Sequence, residues 1–418
     1  MQKTDAHPDK NMEVRGFLEQ TLDMNYAKTF NKKSASKRVA FVYDGTAYGG
    51  VEVYLLTLLR HLNYTRYDPI VIIPGFNYPF SPQGFREQVQ ALGVPLLTPP
   101  NPGNSRNLSF VKDVINMRHL FKQTKTEVVH IQTSRFDGGR RATLAARLAG
   151  VPALIRTEHI TPSVNMAFYS RFTTTPFDWL TNYIVTDSNS NRAEQIQLLN
   201  RAPHKVVSYH CGIELGRFNP VPDTRAAKLR LGLDPALPVV GAVGRLVEQK
   251  GHTYLVSAAA HVIKEFGPVN FLLVGDGPLE KQLKAQVAQL NIAQYFHFVG
   301  FQSNQIPYME AMDVTVMSSI FEGFSISMLE FMAMGKPTVV TNYPSFLEAV
   351  IDGESGVVVA VRDGEAMAEG ILKLLRNPTF AHKLGQAALA RVKQEFSIQR
   401  LANDMMNLYD TTLGIKTD

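Results

Sequence analysis

Two carboxylates stand eight positions apart at Glu322 and Glu330, in the segment EGFSISMLE. The preceding run, Met312 to Met317, is apolar and β-branched, which predicts a buried strand. The following run, Ile326 to Met334, predicts a helix, so Glu322 lies in the loop and Glu330 in the first turns of the helix. Because most glutamates are solvated surface groups, this spacing alone does not define a site.

The elements around this loop must position the first carboxylate. Ser325 or Ser327 is expected to cap the helix N-terminus, and Gly335 with Pro337 to end the helix before another strand. In such a strand-loop-helix-strand unit the loop lies at the carboxyl end of a parallel sheet. Free N–H groups of the first helical turn favour an anion there. The sequence therefore predicts that Glu322 faces a crevice.

Four further motifs occur in order along the chain. They are Gly49-Gly50-Val51-Glu52, Gly244-Arg245-Leu246 with Lys250-Gly251, Gly275-Asp276-Gly277-Pro278 and Phe298-Val299-Gly300-Phe301. Together with the segment from Ser318 to Val340, this ensemble resembles the retaining family-4 glycosyltransferases, whose E-x7-E signature the two glutamates match. The resemblance runs from Arg38 to Glu395. It implies the GT-B fold, an α/β architecture of two facing Rossmann-like domains with an interdomain cleft.

Alternating strand and helix patterns divide the chain into two similar halves. Residues 1–37 form a polar N-terminal extension in this interpretation, with a short helix from Val14 to Tyr26. Residues 38–206 predict an N-terminal Rossmann-like domain and residues 207–395 a C-terminal one, which the resemblance assigns to acceptor and nucleotide sugar respectively. Residues 396–418, with a helix from Ile398 to Leu413, match the family's terminal helix, which crosses back to the N-terminal domain.

The composition of the chain limits the classes of protein to which it could belong. A chain of 418 residues with 45% hydrophobic and 19% charged residues predicts about two to three globular domains. The single cysteine, Cys211, can form no intrachain disulfide, which favours a cytoplasmic compartment. The N-terminus lacks the apolar core of a signal peptide, and no run reaches the roughly 18 apolar residues of a membrane span. We expect a cytoplasmic protein, soluble or peripheral at the inner face of the membrane.

The charge is divided unevenly between the halves. Residues 1–210 hold 25 Lys and Arg against 16 Asp and Glu, a balance of +9, whereas residues 211–418 hold 18 against 21, a balance of −3. A basic half favours an anionic partner, either a phosphorylated acceptor or an anionic lipid surface. Solvated surface charge is the alternative. No recognised nucleic-acid motif accompanies the basic residues, so we expect no nucleic-acid partner.

The resemblance assigns the diphosphate of the donor to Arg245 and Lys250, which follow the first strand of the second half. Arginine can engage two phosphate oxygens at once, and lysine adds a point charge. In the first half, Gly49 and Gly50 would bring backbone and a helix dipole to the same phosphates, because glycine lacks a Cβ. A pair of glycines is common in turns, so this part of the site depends on the ensemble of motifs.

The resemblance also implies roles within the E-x7-E segment. Glu322 would hold donor-sugar hydroxyls near the anomeric centre, aided by the amides of Phe324 and Ser325, and Glu330 would accept hydrogen bonds from the ribose hydroxyls. The family usually has glycine where this chain has Ser325, which predicts a narrower pocket. The other donor contacts fall outside this segment: Gly300 and Phe301 would border the base.

His159 follows a strand of the first half, at a point where family members place a cleft histidine near the donor sugar. The resemblance therefore adds it to Glu322, Arg245 and Lys250 as a catalytic candidate. A single histidine at such a place is otherwise more often a structural hydrogen-bonding group. No Asp-x-Asp sequence occurs in the chain, so we expect neither a metal site nor a cofactor, with the nucleotide sugar as co-substrate.

The predicted activity is a retaining transfer from a nucleotide diphosphate sugar to a glycan, glycolipid or small acceptor, in cell-envelope polysaccharide or glycolipid biosynthesis. One alternative is a synthase of a soluble glycoside or sugar phosphate. A second is a catalytically silent nucleotide-sugar-binding scaffold. The presence of both glutamates together with Arg245 and Lys250 argues against the scaffold.

Overall fold

The computed structural model describes residues 36–44, 49–74, 83–99, 109–133, 138–160 and 174–416. Apart from Ser36 and Lys37, the predicted N-terminal extension lies outside these ranges, and so does its predicted helix from Val14 to Tyr26. The remaining predicted strands and helices fall on described segments. They build two parallel sheets, each with helices on both faces.

The first sheet contains seven parallel strands in the order β3-β2-β1-β4-β5-β6-β7. Its strands β4 and β5 are buried along their whole length, as expected for a parallel sheet covered on both faces. The strands are β1 (Lys37–Asp44), β2 (Tyr67–Ile72), β3 (Leu96–Leu97), β4 (Val128–Thr133), β5 (Ala153–Glu158), β6 (Tyr183–Thr186) and β7 (Val206–Ser208). The sheet thus ends at Ser208, just beyond the predicted domain boundary at 206.

The second sheet contains six parallel strands in the order β10-β9-β8-β11-β12-β13. They are β8 (Val239–Val243), β9 (Asn270–Val274), β10 (Phe296–Gly300), β11 (Val314–Met317), β12 (Thr338–Thr341) and β13 (Val357–Val359). In both sheets the strand order reverses beside the first strand, between β1 and β4 and between β8 and β11. Ligands of such open sheets bind in the crevice at the carboxyl ends of the strands beside this reversal.

Helices connect these strands. In the first half they are Gly50–His61, Gln83–Ala91, Ser109–Gln123, Arg140–Ala149 and Asn189–Leu199, with a further helical segment at 174–180. In the second half they are Thr224–Arg230, His252–Phe266, Glu280–Gln289, Ile306–Glu310, Ile326–Ala333, Pro344–Leu347, Gly364–Arg376, Pro378–Glu395 and Ile398–Leu413. The helices Ile326–Ala333 and Ile398–Leu413 lie within one residue of their predicted bounds, which is the usual uncertainty of helix boundaries.

The two connections between the halves run side by side. The amide of Ile213 donates to Phe396 O at 2.9 Å, and the amide of Ile398 donates to Ile213 O at 3.1 Å. Glycine is required at the crossing, because a Cβ on Gly212 would lie 2.6 Å from the Cα of Ile398. The helix Ile398–Leu413 then packs on the first half, where the hydroxyl of Tyr67 donates to Asp410 at 2.5 Å.

Candidate active site

The loop after β8 is held by the loop after β9. Leu246 donates its amide to Asp276 O at 2.7 Å, and Leu279 donates its amide to Leu246 O at 3.0 Å. Gly275 has φ 139°, and a Cβ there would lie 2.1 Å from the carbonyl oxygen of Gly244. The Gly-Asp-Gly-Pro motif therefore holds the backbone of the loop that carries Arg245. Its first glycine, Gly275, is required for the close approach of the two loops.

Arg245 and Lys250 differ in what they contact. Arg245 is exposed at the end of β8, and within the described residues its guanidinium has no hydrogen-bond partner. Lys250 forms a salt bridge with Glu322, in which both side chains are largely buried. Gly251 permits this contact, because it has φ 61° and a Cβ there would lie 2.1 Å from Ser318 O. One cation of the predicted diphosphate pair is thus available, and the other is held by the first glutamate of the signature.

Several polar groups surround Glu322. Its carboxylate lies 3.4 Å from Nε2 of Gln249 and 3.4 Å from Oγ of Ser319, in addition to its salt bridge with Lys250. Its carbonyl oxygen accepts a hydrogen bond from Ser345 Oγ at 3.2 Å. The loop that carries Glu322 is therefore held by both β8 and β12, which fixes the carboxylate before any ligand arrives.

The second glutamate lies on the helix Ile326–Ala333. Ser325 is the N-cap of that helix, with its Oγ accepting the amide of Met328 at 3.3 Å. The buried side chain of Ser325 is therefore engaged in capping the helix. Burial raises the pKa of Glu330 to about 7, and the charge of Arg217 partly opposes the shift. Hydroxyl donors from a ligand would favour the ionised carboxylate.

Two glycine contacts bring the halves together at this loop. A Cβ on Gly323 would lie 1.9 Å from the carbonyl oxygen of His159, which directly follows β5 in the first sheet. A Cβ on Gly50 would lie 3.8 Å from Cδ1 of Ile326. The predicted donor motifs of the two halves therefore face each other across a narrow gap.

The amide of Gly49 is already engaged. It donates to the Glu52 carboxylate at 2.7 Å, and the hydroxyl of Tyr43 donates to the other oxygen of Glu52. Burial raises the pKa of Glu52 to about 7, although the hydrogen bond from Gly49 and the charges of His159 and Arg245 act in the opposite direction. Glu52 is thus a buried ionisable group between the two halves to which sequence reasoning gave no role.

Both ring nitrogens of His159 are bonded inside the first half. Nδ1 lies 2.6 Å from an Asp187 carboxylate oxygen and Nε2 lies 3.0 Å from Oε1 of Gln132. The ring meets Tyr54 edge-on at 4.9 Å between centroids, and the residue is 9% exposed. The backbone carbonyl of His159, the predicted cleft histidine, therefore faces the gap between the halves. Its imidazole is hydrogen-bonded within the first half.

The predicted base-side residues lie at the end of β10. Gly300 accepts the amide of Gly275 at 2.9 Å and has φ 75°, and Phe301 is 49% exposed. Phe324 differs, because its ring is buried and packs between His210 at 5.2 Å and Phe396 at 5.6 Å. The side chain of Phe324 therefore belongs to the core between the halves, and only its backbone is available to a ligand.

Comparison with known proteins agrees with this geometry. The model for Glycosyltransferase Family 4 matches residues 48–217 and the model for Glycosyl transferases group 1 matches residues 224–391. The chain is a family-4 glycosyltransferase with the GT-B fold.

Relatives of this glycosyltransferase span most of its length. The Bacillus subtilis protein EpsF, named as a glycosyltransferase, is 28% identical over 390 residues, which is 88% of this chain and 92% of EpsF. An Escherichia coli UDP-Gal:alpha-D-GlcNAc-diphosphoundecaprenol alpha-1,3-galactosyltransferase is 26% identical over 77% of this chain and 84% of the relative. The Anabaena protein HepE, solved with UDP and glucose, matches with a TM-score of 0.77 at 18% identity, over 90% of this chain and 100% of HepE.

A carboxylate missed by sequence reasoning joins the halves of the glycosyltransferase. Glu348, in the second half, accepts the amides of Asn189 and Ser190 at 2.8 and 2.7 Å and lies 2.6 Å from Nε2 of His210. Burial would raise its pKa, but the hydrogen bonds from His210, Ser190 and Asn189 lower the pKa of Glu348 to about 2. The Glu348 carboxylate thus binds the N-terminus of the first-half helix Asn189–Leu199 and links the two halves. Only the folded chain brings these groups together.

Within the described residues, no group of three or more His, Cys, Asp or Glu side chains could hold a metal ion. No helix in the described part of the glycosyltransferase is long and apolar enough to cross a membrane.

Proposed function

We propose that this glycosyltransferase transfers a sugar from a nucleotide diphosphate sugar with retention of the anomeric configuration. The observation that carries the proposal is the arrangement of Arg245 and the Lys250–Glu322 ion pair on neighbouring loops after β8 and β11. Two cations beside one carboxylate match the needs of a donor whose diphosphate is anionic and whose sugar offers hydroxyls. Glu330, on the helix Ile326–Ala333 that follows the Glu322 loop, would accept hydrogen bonds from the ribose hydroxyls.

In the proposed mechanism, negative charge grows on the departing diphosphate as the anomeric bond breaks. Arg245 and Lys250 stabilise that charge, and the salt bridge to Glu322 holds Lys250 in position beforehand. Glu322 binds sugar hydroxyls and holds the ring in place, and the acceptor oxygen attacks from the face that the leaving oxygen occupies. The leaving oxygen takes the proton of the acceptor hydroxyl, so the new bond keeps the configuration of the old one without a covalent enzyme intermediate.

The proposed acceptor is a glycan or a lipid-linked intermediate of cell-envelope polysaccharide biosynthesis. The Escherichia coli relative acts, by its name, on a sugar linked to diphosphoundecaprenol. The basic balance of residues 1–210 suits such an anionic acceptor. A small soluble acceptor would make the enzyme a synthase, and an assay of products against both acceptor classes separates the two.

A panel of UDP, GDP and ADP with their sugars tests the donor assignment. A cognate ligand at about 100 times its Kd stabilises the fold by about 2.7 kcal/mol, which a thermal-shift assay detects. Arg245→Ala should weaken the best nucleotide diphosphate by about 1.5 to 3 kcal/mol, the scale of hydrogen bonds to a charged group. Calorimetry measures the loss, with exposed Arg225→Ala as the control. Unchanged affinity in folded Arg245→Ala would contradict the clamp.

Transfer with excess chelator tests the metal-independent and retaining parts of the proposal. We expect full activity, because Arg245 and Lys250 already neutralise the diphosphate, and we expect the product to keep the anomeric coupling of the donor in NMR spectra. Activity lost on chelation and restored by magnesium would remove the metal-independent part. An inverted product would remove retention.

We further propose that the first half rests on an anionic lipid surface. On the helix Ser109–Gln123, Val111 and Ile115 are 54% and 52% exposed and share one face, and Leu148 on the adjoining helix is 53% exposed. Lys112 and Lys122 are exposed on the same helix. Apolar groups flanked by lysines are typical of helices that lie at the surface of an anionic bilayer.

Cosedimentation with phosphatidylglycerol vesicles and with phosphatidylcholine vesicles tests this contact. Binding should require the anionic lipid and weaken as salt rises, since charges are screened within about 8 Å at physiological ionic strength. Ile115→Glu should reduce binding, whereas Val221→Glu, at a 75% exposed valine of the second half, should not. Equal binding of the protein to the two vesicle types would refute electrostatic recruitment.

A further inference from the structure

A short segment of the second half contacts both the first half and the loop that carries Glu322. It comprises residues 343–348, which follow β12, and we call it the coupling segment. Ser345 in this segment is fully buried and donates its hydroxyl to Glu322 O at 3.2 Å. Glu348, at the end of the segment, bonds the first half. The two residues are three positions apart, so a single helical turn carries both contacts.

The hydrogen bonds between Glu348 and the first half have fixed directions. The backbone amide of Asn189 donates to one carboxylate oxygen at 2.8 Å, and that of Ser190 donates to the other at 2.7 Å. A backbone amide can only donate, and two such donors favour the ionised carboxylate. Both amides belong to the first turn of the helix Asn189–Leu199, whose positive end attracts a negative charge. The contact therefore combines two hydrogen bonds with a charge–dipole attraction.

The coupling segment is a compact turn. The side chain of Phe346 is fully buried, and its amide donates to Tyr343 O at 2.9 Å. The amide of Val350 donates to Phe346 O at 2.8 Å, so the hydrogen-bonded turn continues past Glu348. A shift of Glu348 is therefore passed along the turn to Ser345.

The same first-half helix also approaches the Glu322 loop directly. The side chain of Asn191, in the turn that binds Glu348, lies 3.9 Å from the position that a Cβ on Gly323 would take. Gly323 itself has no room for a side chain against the carbonyl oxygen of His159. The first half thus acts on the Glu322 loop in two ways, directly at Gly323 and through the coupling segment.

We infer that Glu348 is a positioning residue for Glu322: it ties the coupling segment to the first-half helix, and Ser345 transmits that constraint to the Glu322 loop. The inference rests on the proposed function, in which Glu322 orients the donor sugar. It makes the placement of Glu322 depend on contact between the two halves. A purely structural role for Glu348 would lower stability and leave turnover per folded molecule unchanged.

Glu348→Gln and Ser345→Ala test the two ends of this connection. Glutamine turns an N–H₂ group toward one of the backbone donors, and alanine removes the hydroxyl bonded to Glu322 O. We expect each variant to lower kcat about tenfold, less than the roughly 10²-fold cost of a misplacement by about 1 Å, while the Kd of the nucleotide diphosphate stays within about twofold. Glu354→Gln, at an exposed carboxylate of the same half, is the control and should leave kcat unchanged. Wild-type kcat in folded Glu348→Gln or in folded Ser345→Ala would overturn the inference.

The double variant separates transmission through Ser345 from two independent effects. If Ser345 carries the constraint, Glu348→Gln has little further effect once that hydroxyl is gone. We therefore expect kcat of the double variant to stay within about twofold of kcat of Ser345→Ala. Independent effects would multiply to a loss of about 10²-fold, and that outcome would refute the transmission.

Hydrogen exchange gives a readout that needs no substrate. In mass spectra of the full chain, Glu348→Gln should speed exchange in peptides covering residues 188–191 and 318–324, whereas Ser345→Ala should speed it only in 318–324. Faster exchange in Glu348→Gln at 188–191 alone would show that the second half fixes the Glu322 loop by itself, which overturns the inference whether or not a donor has been found. If no nucleotide sugar binds or reacts while the exchange pattern matches, the proposed function fails and the positioning of the loop by Glu348 stands.

Discussion

Glu322→Gln will lower kcat by roughly 10² to 10³-fold while nucleotide diphosphate binding stays equal or becomes tighter. The magnitude is that of losing one preorganised electrostatic contact in an enclosed site. The carboxylate is held by Lys250, Gln249 and Ser319, so its orientation is fixed before the proposed donor sugar binds. Neutralising it also weakens the salt bridge that competes with the diphosphate for Lys250, which is why affinity should not fall.

Single-turnover kinetics and calorimetry on the same preparation check this prediction. Glu248→Gln is the matched control, because Glu248 is an exposed carboxylate in the same short segment as Lys250 and should leave kcat unchanged. A folded Glu322→Gln enzyme that turns over like wild type would show that this carboxylate does not act on the donor. A parallel loss of nucleotide affinity would instead indicate that Glu322 organises the phosphate loop.

Gly323→Ala should reduce kcat by about 10²-fold, with little effect on the stability of either half. A Cβ at this position would lie 1.9 Å from the backbone oxygen of His159, and a backbone atom cannot rotate away as a flexible side chain can. The halves must therefore separate slightly, and displacement of catalytic groups by about 1 Å is enough for a loss of this size. Nucleotide binding should persist, because the residues proposed to hold the diphosphate, Arg245 and Lys250, belong to one half.

The control for the added methyl group is Gly216→Ala, where a Cβ would have no neighbour within 4 Å. A crystal structure should show a wider gap in Gly323→Ala and an unchanged gap in Gly216→Ala. Wild-type turnover by Gly323→Ala would mean that the approach of His159 to this loop is not required for transfer.

Local sequence pattern determined most of the fold. The apolar run from Met312 to Met317 predicted a buried strand, and β11 (Val314–Met317) forms within it, because strands of a covered parallel sheet are continuous apolar segments. The helix Ile398–Leu413 was also predicted with its observed bounds. Its apolar residues recur at helical spacing, and Gly414 follows in the left-handed conformation.

Some elements carried no readable pattern. β3 (Leu96–Leu97) and β7 (Val206–Ser208) are too short for any periodicity, and they are strands only because β2 and β6 offer them partners. The helix Asn189–Leu199 was not predicted, since two of its buried residues are the polar Asn191 and Gln195. Burial of polar groups depends on partners supplied by other segments, which a local pattern cannot show.

The candidate site divides in the same way. Sequence alone placed Glu322 in the loop after a strand, Glu330 on the following helix, and Arg245 with Lys250 after the first strand of the second half, because each placement depends only on neighbours along the chain. Tertiary structure decided which groups meet. Lys250 and Glu322 are 72 positions apart, and the contact of Gly323 with His159 joins the two halves. Such contacts depend on how the two sheets face each other, and no local spacing contains that information.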